Sequence, residues 1–289
     1  MALVNAKDML KKAKKNKYAI PHFNINNLEW LKAIVLTAEK LKSPVILGVS
    51  EGALKYMGGY STVSGMVLGF LNDNKISIPV ALHLDHGSFE GCLKAIESEG
   101  FTSIMFDGSR LDFETNYEQT NQLVYLANNK NMSIEAEVGS IGGEEDGIVG
   151  QGELADVKQA VKMANLGITV LAAGIGNIHG PYPSNWKGLD FDRLFDLSQN
   201  TGIGIVLHGG SGINAEDIKK AISLGITKIN VNTELQLANH KAIREFIKSD
   251  KDLEAKNYDP RKLLKPGFEA MCQAVENLIK LFGSDQKAN

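Results

Sequence analysis

No stretch of this 289-residue chain approaches the roughly 18 consecutive apolar residues of a membrane-spanning helix, so no span is expected. The start, MALVNAKDML, lacks the basic opening, long apolar region and cleavage site of a secretory leader. Cysteine is scarce. Cys92 and Cys272 lie far apart, each inside a helical pattern, and read as buried small residues rather than a disulfide. These absences together point to the cytoplasm. A net charge of -3 leaves no basic face for nucleic acid. The one dense basic run, KKAKKNK at 11–17, reads as the solvated face and C-terminal end of a first helix. No linker rich in Pro, Gly and Ser divides the chain, so residues 1–289 are expected to form a single domain.

What is present is an unbroken alternation. Apolar, β-branched runs at 18–24, 44–50, 80–85, 102–107, 133–138, 169–174, 204–208 and 227–231 read as buried strands. Helical periodicities lie between them, as in NNLEWLKAIVLTAEKLK (26–42), FEGCLKAIESE (89–99) and NAEDIKKAISLG (214–225). The last opens on an Asn cap and closes on Gly225. Eight strands, each followed by a helix or long loop, predict an α/β fold of the (β/α)8 TIM-barrel type, with an extra amphipathic C-terminal helix after Asp259. Two long glycine-rich connections, 139–153 and 174–188, are expected to be lids or binding loops on the barrel's C-terminal face.

Polar residues gather at one end of these strands. In chain order the ends offer Asn24; Ser50 with Glu51; Asp85 with His86; Asp107; Glu135 with Glu137; Asn177 and His179; His208; and Asn230. Buried strands rarely finish this way, because an unpaired polar group in a core costs roughly 2–7 kcal/mol. Three histidines at three strand ends, His86, His179 and His208, can converge on a tetrahedral zinc with one position open. His83 shares strand parity with Asp85 and either packs in the core or supports the site; His22 reads as structural, and His240 as solvent-exposed. The turn LHGGSG (207–212) offers successive glycine amides and the Ser211 hydroxyl to a phosphate, and Asn232 and Thr233 in INVNTE could complete the cup. No obvious buried lysine stands at a strand end; Lys228 is the nearest, and a poor candidate for a Schiff base.

With these residues assembled, the chain resembles the class II, metal-dependent fructose-bisphosphate aldolases, short form. The matching segments are PHFNINN, LHLDHG, SIMFDGS, EAEVGSIGGEEDG, GIGNIHGPYP, VLHGGSG, KINVNTE and YDPRKLLKPG, and they span nearly the whole chain. The resemblance implies a lyase of glycolysis and gluconeogenesis that cleaves D-fructose 1,6-bisphosphate to dihydroxyacetone phosphate and D-glyceraldehyde 3-phosphate. It implies zinc on His86, His179 and His208, stabilising the enediolate, with Asp107 and Glu137 as an alternative, buried metal position. It implies Asp85 as the acid/base at the C4 oxygen and Glu145, in GGEEDG, in proton transfer at the triose-phosphate carbon. Substrate positions implied are Asn24, Ser50, Gly180, Gly209, Gly210, Ser211, Asn230, Asn232, Thr233 and Arg261, the last at the other phosphate. A monovalent cation, Na+ or K+, is implied near the phosphate cup, and so is a homodimer or homotetramer. Tagatose 1,6-bisphosphate is the alternative substrate, and a non-catalytic binding protein the alternative class. One departure stands out: DGSR places Arg110 where many members have His, beside Asp107.

Overall fold

The computed structural model describes residues 3–145 and 148–288, with the side chains of all of these except Glu145, Ile148 and Val149. The chain runs α1 (Lys7–Asn16), β1 (Ile20–Asn24), α2 (Leu28–Leu41), β2 (Val45–Ser50), α3 (Glu51–Met57), α4 (Tyr60–Asp73), β3 (Val80–Gly87) and α5 (Phe89–Glu97). It continues through β4 (Ser103–Phe106), α6 (Phe113–Asn129), β5 (Ser133–Val138), β6 (Gly142–Glu145), β7 (Ile148–Gly150), α7 (Val157–Asn165), β8 (Val170–Ala173) and β9 (Ile178–His179). It ends with α8 (Phe191–Thr201), β10 (Gly204–Leu207), α9 (Ala215–Leu224), β11 (Ile226–Val231), α10 (Thr233–Lys248), α11 (Pro260–Leu263) and α12 (Lys265–Phe282). Eight strands close into a barrel in the order β1-β11-β10-β8-β5-β4-β3-β2. Every pairing in it is parallel. This is a (β/α)8 TIM barrel.

The strands are buried on both faces, which is why they read as near-continuous apolar runs. Leu47, Leu82, Ile104, Ile134, Leu171 and Ile205 face outward and pack beneath the helices in the main core. Inward-facing Ile20, Ile46, Ala81, Met105, Val170 and Val206 form a second cluster with Met9, Leu10 and Ala13 of α1. Helix α1 therefore closes one mouth of the barrel. Its Lys11, Lys12 and Lys15 remain exposed on the opposite face, as the basic run suggested. Most helices that follow strands start on short polar caps; α10 does not. The side chains of Asn27, Ser88, Asp112, Asp156, Asp190 and Asn214 each accept a first-turn backbone N–H.

Three details depart from the sequence reading. The glycine-rich connections are not plain loops: β6 and β7 form an antiparallel hairpin, and β6 pairs in parallel with β9 from the other connection. These strands are too short and glycine-rich to alternate visibly. The C-terminal tail is two helices, because Asp259 caps a separate four-residue turn before α12 begins. Cys92 is buried, whereas Cys272 is half-buried at the helix surface; both are free thiols. Among the described residues, no helix is long and apolar enough to cross a membrane.

Candidate active site

Above its apolar floor the barrel lumen turns polar. Strands β1, β3, β5 and β11 direct His22 and Asn24, His83 and Asp85, Glu135 and Glu137, and Lys228 and Asn230 inward, all of them buried. On a regular strand Asp85 and His86 would face opposite sides. Here the β3–β4 register shifts between Leu84 and Gly87, and His86 adopts a left-handed backbone, φ 46. Such strain in a non-glycine residue persists only where surrounding structure enforces it. The irregularity lets neighbouring residues serve one site.

His86, His179 and His208 each place a ring nitrogen within 4.8 Å of the others. His86 Nε2 and His208 Nδ1 face each other at 2.9 Å. Asp107 and Glu135 engage the opposite nitrogens of these two rings, so the facing pair suits a shared proton or a metal ion. Burial opposes charge on His86, but the Asp107 hydrogen bond and the carboxylates of Asp85, Asp107 and Glu137 outweigh it and raise its pKa to about 10. Burial, then the positive charges of His86 and Lys228, hold His208 well below the usual histidine range. The donor set suits a metal: three imidazoles, with the far nitrogen of two of them fixed by carboxylates. Asp107 Oδ2 lies 2.8 Å from His86 Nδ1, and Glu135 Oε1 lies 2.8 Å from His208 Nε2. His86, Asp107 and Glu137 also bring ligand atoms within 4.8 Å of one another. Burial first, and the Asp107 charge next, push the Glu137 carboxyl well above its usual range.

Asp85 sits beside this cluster. Asn24 Nδ2 donates to its Oδ2 at 2.9 Å, and Asn230 Nδ2 donates to Oδ1 at 3.3 Å. Burial works against its ionisation, yet the basic groups around it, Lys228 among them, hold the carboxyl well below the usual carboxylate range. Deeper in the lumen lies a pair that the sequence reading missed. Lys228 is 1% exposed and donates to Glu135 Oε2 at 2.7 Å. The expectation of no obvious buried lysine is therefore corrected. Its shared parity with Asn230 on β11 was the available signal, since Asn230 faces inward.

A cleft lined by Asn24, Asp85, His179, Gly180, His208, Gly209, Ser211, Asn230, Asn232 and Thr233 opens next to the histidines. It ends at the first turn of α10, where the positive end of the helix dipole favours an anion and the Ser211 hydroxyl accepts from Glu234 N at 3.1 Å. Tyr182 braces its wall: the hydroxyl accepts from Ile178 N at 3.1 Å and donates to Gly209 O at 2.8 Å. Asn177 ties the same wall to β10 by donating to His208 O. On the other side of His86 and His179 lies a cavity of about 600 Å³, lined by Glu51, Ser88, Asp107, Arg110, Glu137 and Gln151 among others. Gly143 joins that cavity to the cluster. A Cβ on it would lie 2.1 Å from His179 O, so the hairpin seats against β9 only with glycine there.

Three expected substrate residues stand apart from the cleft. The Ser50 hydroxyl caps α3, accepting from Ala53 N. The Gly210 N–H is committed to Asn230 O at 3.0 Å. The Arg261 side chain is 88% exposed and paired with Asp259. The Glu145 side chain lies outside the described residues.

Residues 4–287 match the family model for class-II fructose-bisphosphate aldolase. The fructose-bisphosphate aldolase of Mycoplasma pneumoniae is 54% identical over 288 residues, covering 99% of this chain and 100% of that one. A fructose-bisphosphate aldolase of Streptococcus pyogenes is 51% identical over 294 residues, covering 100% of both. Among solved structures, a putative fructose-1,6-biphosphate aldolase from Coccidioides immitis superposes with a TM-score of 0.88 at 32% identity, covering 98% of each chain. The YdjI aldolase of Escherichia coli K12 gives 0.83 at 31% identity, over 99% of this chain and 100% of that one. With a match along nearly its entire length, the chain belongs to the class-II fructose-bisphosphate aldolase family.

Proposed function

We propose that this chain, acting as one domain, performs the activity of its family: reversible cleavage of D-fructose 1,6-bisphosphate to dihydroxyacetone phosphate and D-glyceraldehyde 3-phosphate. The observation that carries the reading is the convergence of His86, His179 and His208 beside the Asp85 carboxylate, at the edge of an anion-suited cleft. The three histidines would hold zinc, which supplies Lewis acidity for the negative charge left on the ketose fragment when the C3–C4 bond breaks. Asp85 takes the C4 hydroxyl proton as that bond breaks. Because its carboxyl is held well below the usual range, it stands ionised and ready at neutral pH. Asn24 and Asn230 keep it from rotating. Gly180, Gly209, Ser211, Asn232 and Thr233 receive the phosphate of the dihydroxyacetone end, with a monovalent cation alongside. Glu145 returns a proton to the triose-phosphate carbon, and Asp107 with Glu137 offers a second, buried metal position.

Arg261 completes substrate binding in the assembled enzyme, while Ser50 and Gly210 serve the site through the backbone they hold, α3 and the turn after β10. The exposure of Arg261 supports its reaching the site of a second copy, in a homodimer or homotetramer. Cytoplasmic glycolysis is the setting that fits this chemistry. A side-by-side assay of fructose 1,6-bisphosphate and tagatose 1,6-bisphosphate tests the reading. Equal amounts of the two triose phosphates, formed faster from the fructose compound, are expected; preference for tagatose 1,6-bisphosphate would overturn it.

A further inference from the structure

His22 is fully buried, and neither of its ring nitrogens has a hydrogen-bond partner among the described residues. An unsatisfied buried polar group costs on the order of 1–3 kcal/mol, so packing alone does not account for an imidazole where an apolar ring would serve. The lumen is cut to admit it: a Cβ on Gly48 would lie 1.8 Å from His22 Nε2. That nitrogen faces Asp85 Oδ2 at 3.6 Å. The neighbouring His83 ring meets His22 edge-on at 5.3 Å, with its own Nδ1 engaged by Ser103 Oγ at 2.6 Å. Burial, followed by the Lys228 charge, keeps His22 neutral. A neutral imidazole donates from one nitrogen only, and a carboxylate oxygen stands before Nε2.

We propose that His22 is a positioning residue for Asp85, its Nε2–H adding a second donor to the Oδ2 that Asn24 also bonds, while Asn230 holds Oδ1. A distance of 3.6 Å is longer than a hydrogen bond. A relative shift of about 0.5 Å between ring and carboxylate brings the pair within hydrogen-bond range. The three donors then set the angle at which the carboxylate meets the substrate C4 hydroxyl. The inference rests on the reading of Asp85 as the acid/base.

The test compares His22→Gln, His22→Asn, His22→Leu and Asp85→Asn in the full-length, zinc-loaded enzyme. Glutamine sets an amide N–H where Nε2 stands, asparagine falls short of it, and leucine has no donor. His22→Leu and His22→Asn should lower kcat roughly tenfold to a hundredfold, with zinc content and KM for fructose 1,6-bisphosphate unchanged. His22→Gln should stay within about threefold of the parent. Nitrogen-15 NMR should show the neutral Nε2–H tautomer across about pH 6–9. Parental kcat in His22→Leu, equal impairment of Gln and Asn, or an Nδ1–H tautomer would overturn the inference. If His22→Leu does not fold, the Gln and Asn pair decides. If Asp85→Asn cleaves at the parental rate, the reading of Asp85 itself fails; if it is inactive while His22→Leu is normal, only the role of His22 fails.

Discussion

Lys228 and Glu135 are ionisable residues in the middle of a barrel, each 1% exposed, and 2.7 Å separates their charged atoms. Taking two charges out of water is expensive, and their attraction offsets it only while both are present. Glu135 also fixes His208, so the pair links stability to the histidine cluster. Lys228→Met leaves the carboxylate uncompensated and should lower stability by about 3–5 kcal/mol in urea unfolding, with Lys228→Met/Glu135→Gln recovering part of the loss. A loss under about 1 kcal/mol in the single variant would show that the pair is not the buried ion pair described here. Much of this layer was legible from strand parity. His83 and Asp85 share a face, as do Glu135 and Glu137, and Lys228 and Asn230. What parity does not reveal is depth: whether an inward residue meets the mouth of the barrel or its centre depends on the stagger of neighbouring strands. His86 broke the parity rule through its left-handed backbone, yet was legible as one of three histidines at strand ends.

Glu39 shows how single residues tie whole elements together. At the end of α2 its carboxylate accepts from Ser77 N at 2.8 Å, Ser77 Oγ at 2.6 Å and Ile78 N at 3.2 Å, and pairs with Lys42. It thereby anchors α2 to the turn that leads into β3. Partial burial would raise its pKa, but the bonds to Lys42, Ser77 and Ile78 bring it down to about 2. A depressed folded-state pKa gives stability that is full above the ordinary value of 4.5 and lost as pH falls through about 2. Glu39→Gln should therefore be destabilised by roughly 0.5–1 kcal/mol at neutral pH, after allowance for solvent screening. The gap in urea midpoint should narrow steadily below about pH 4.5; a gap that is constant with pH would contradict the assignment. At this scale the barrel strands and the α9 caps were readable because hydrophobic runs and turn residues agree locally. The hairpin β6–β7 and its partner β9 were not. Strands of four, three and two residues, with Gly142, Gly143 and Gly150 among them, carry no usable period. Their pairing is decided by the tertiary approach of Gly143 to His179.

Across the whole molecule, the barrel brings strand ends that are far apart in sequence to one rim, and closes the other with α1. Closure is what makes His86, His179 and His208 neighbours, from residues more than a hundred positions apart at the extremes. The other electron sink open to such chemistry is a lysine Schiff base. Lys228 is the buried lysine near the site, and its amine is already committed to Glu135. The proposed cleavage therefore depends on metal at the three histidines. The most direct measurement is the rate of fructose 1,6-bisphosphate cleavage before EDTA treatment, after it, and after zinc is returned. Activity lost with EDTA and restored by zinc is the predicted result. Cleavage that continues undiminished in EDTA, with no metal bound, would contradict it and turn attention to Lys228.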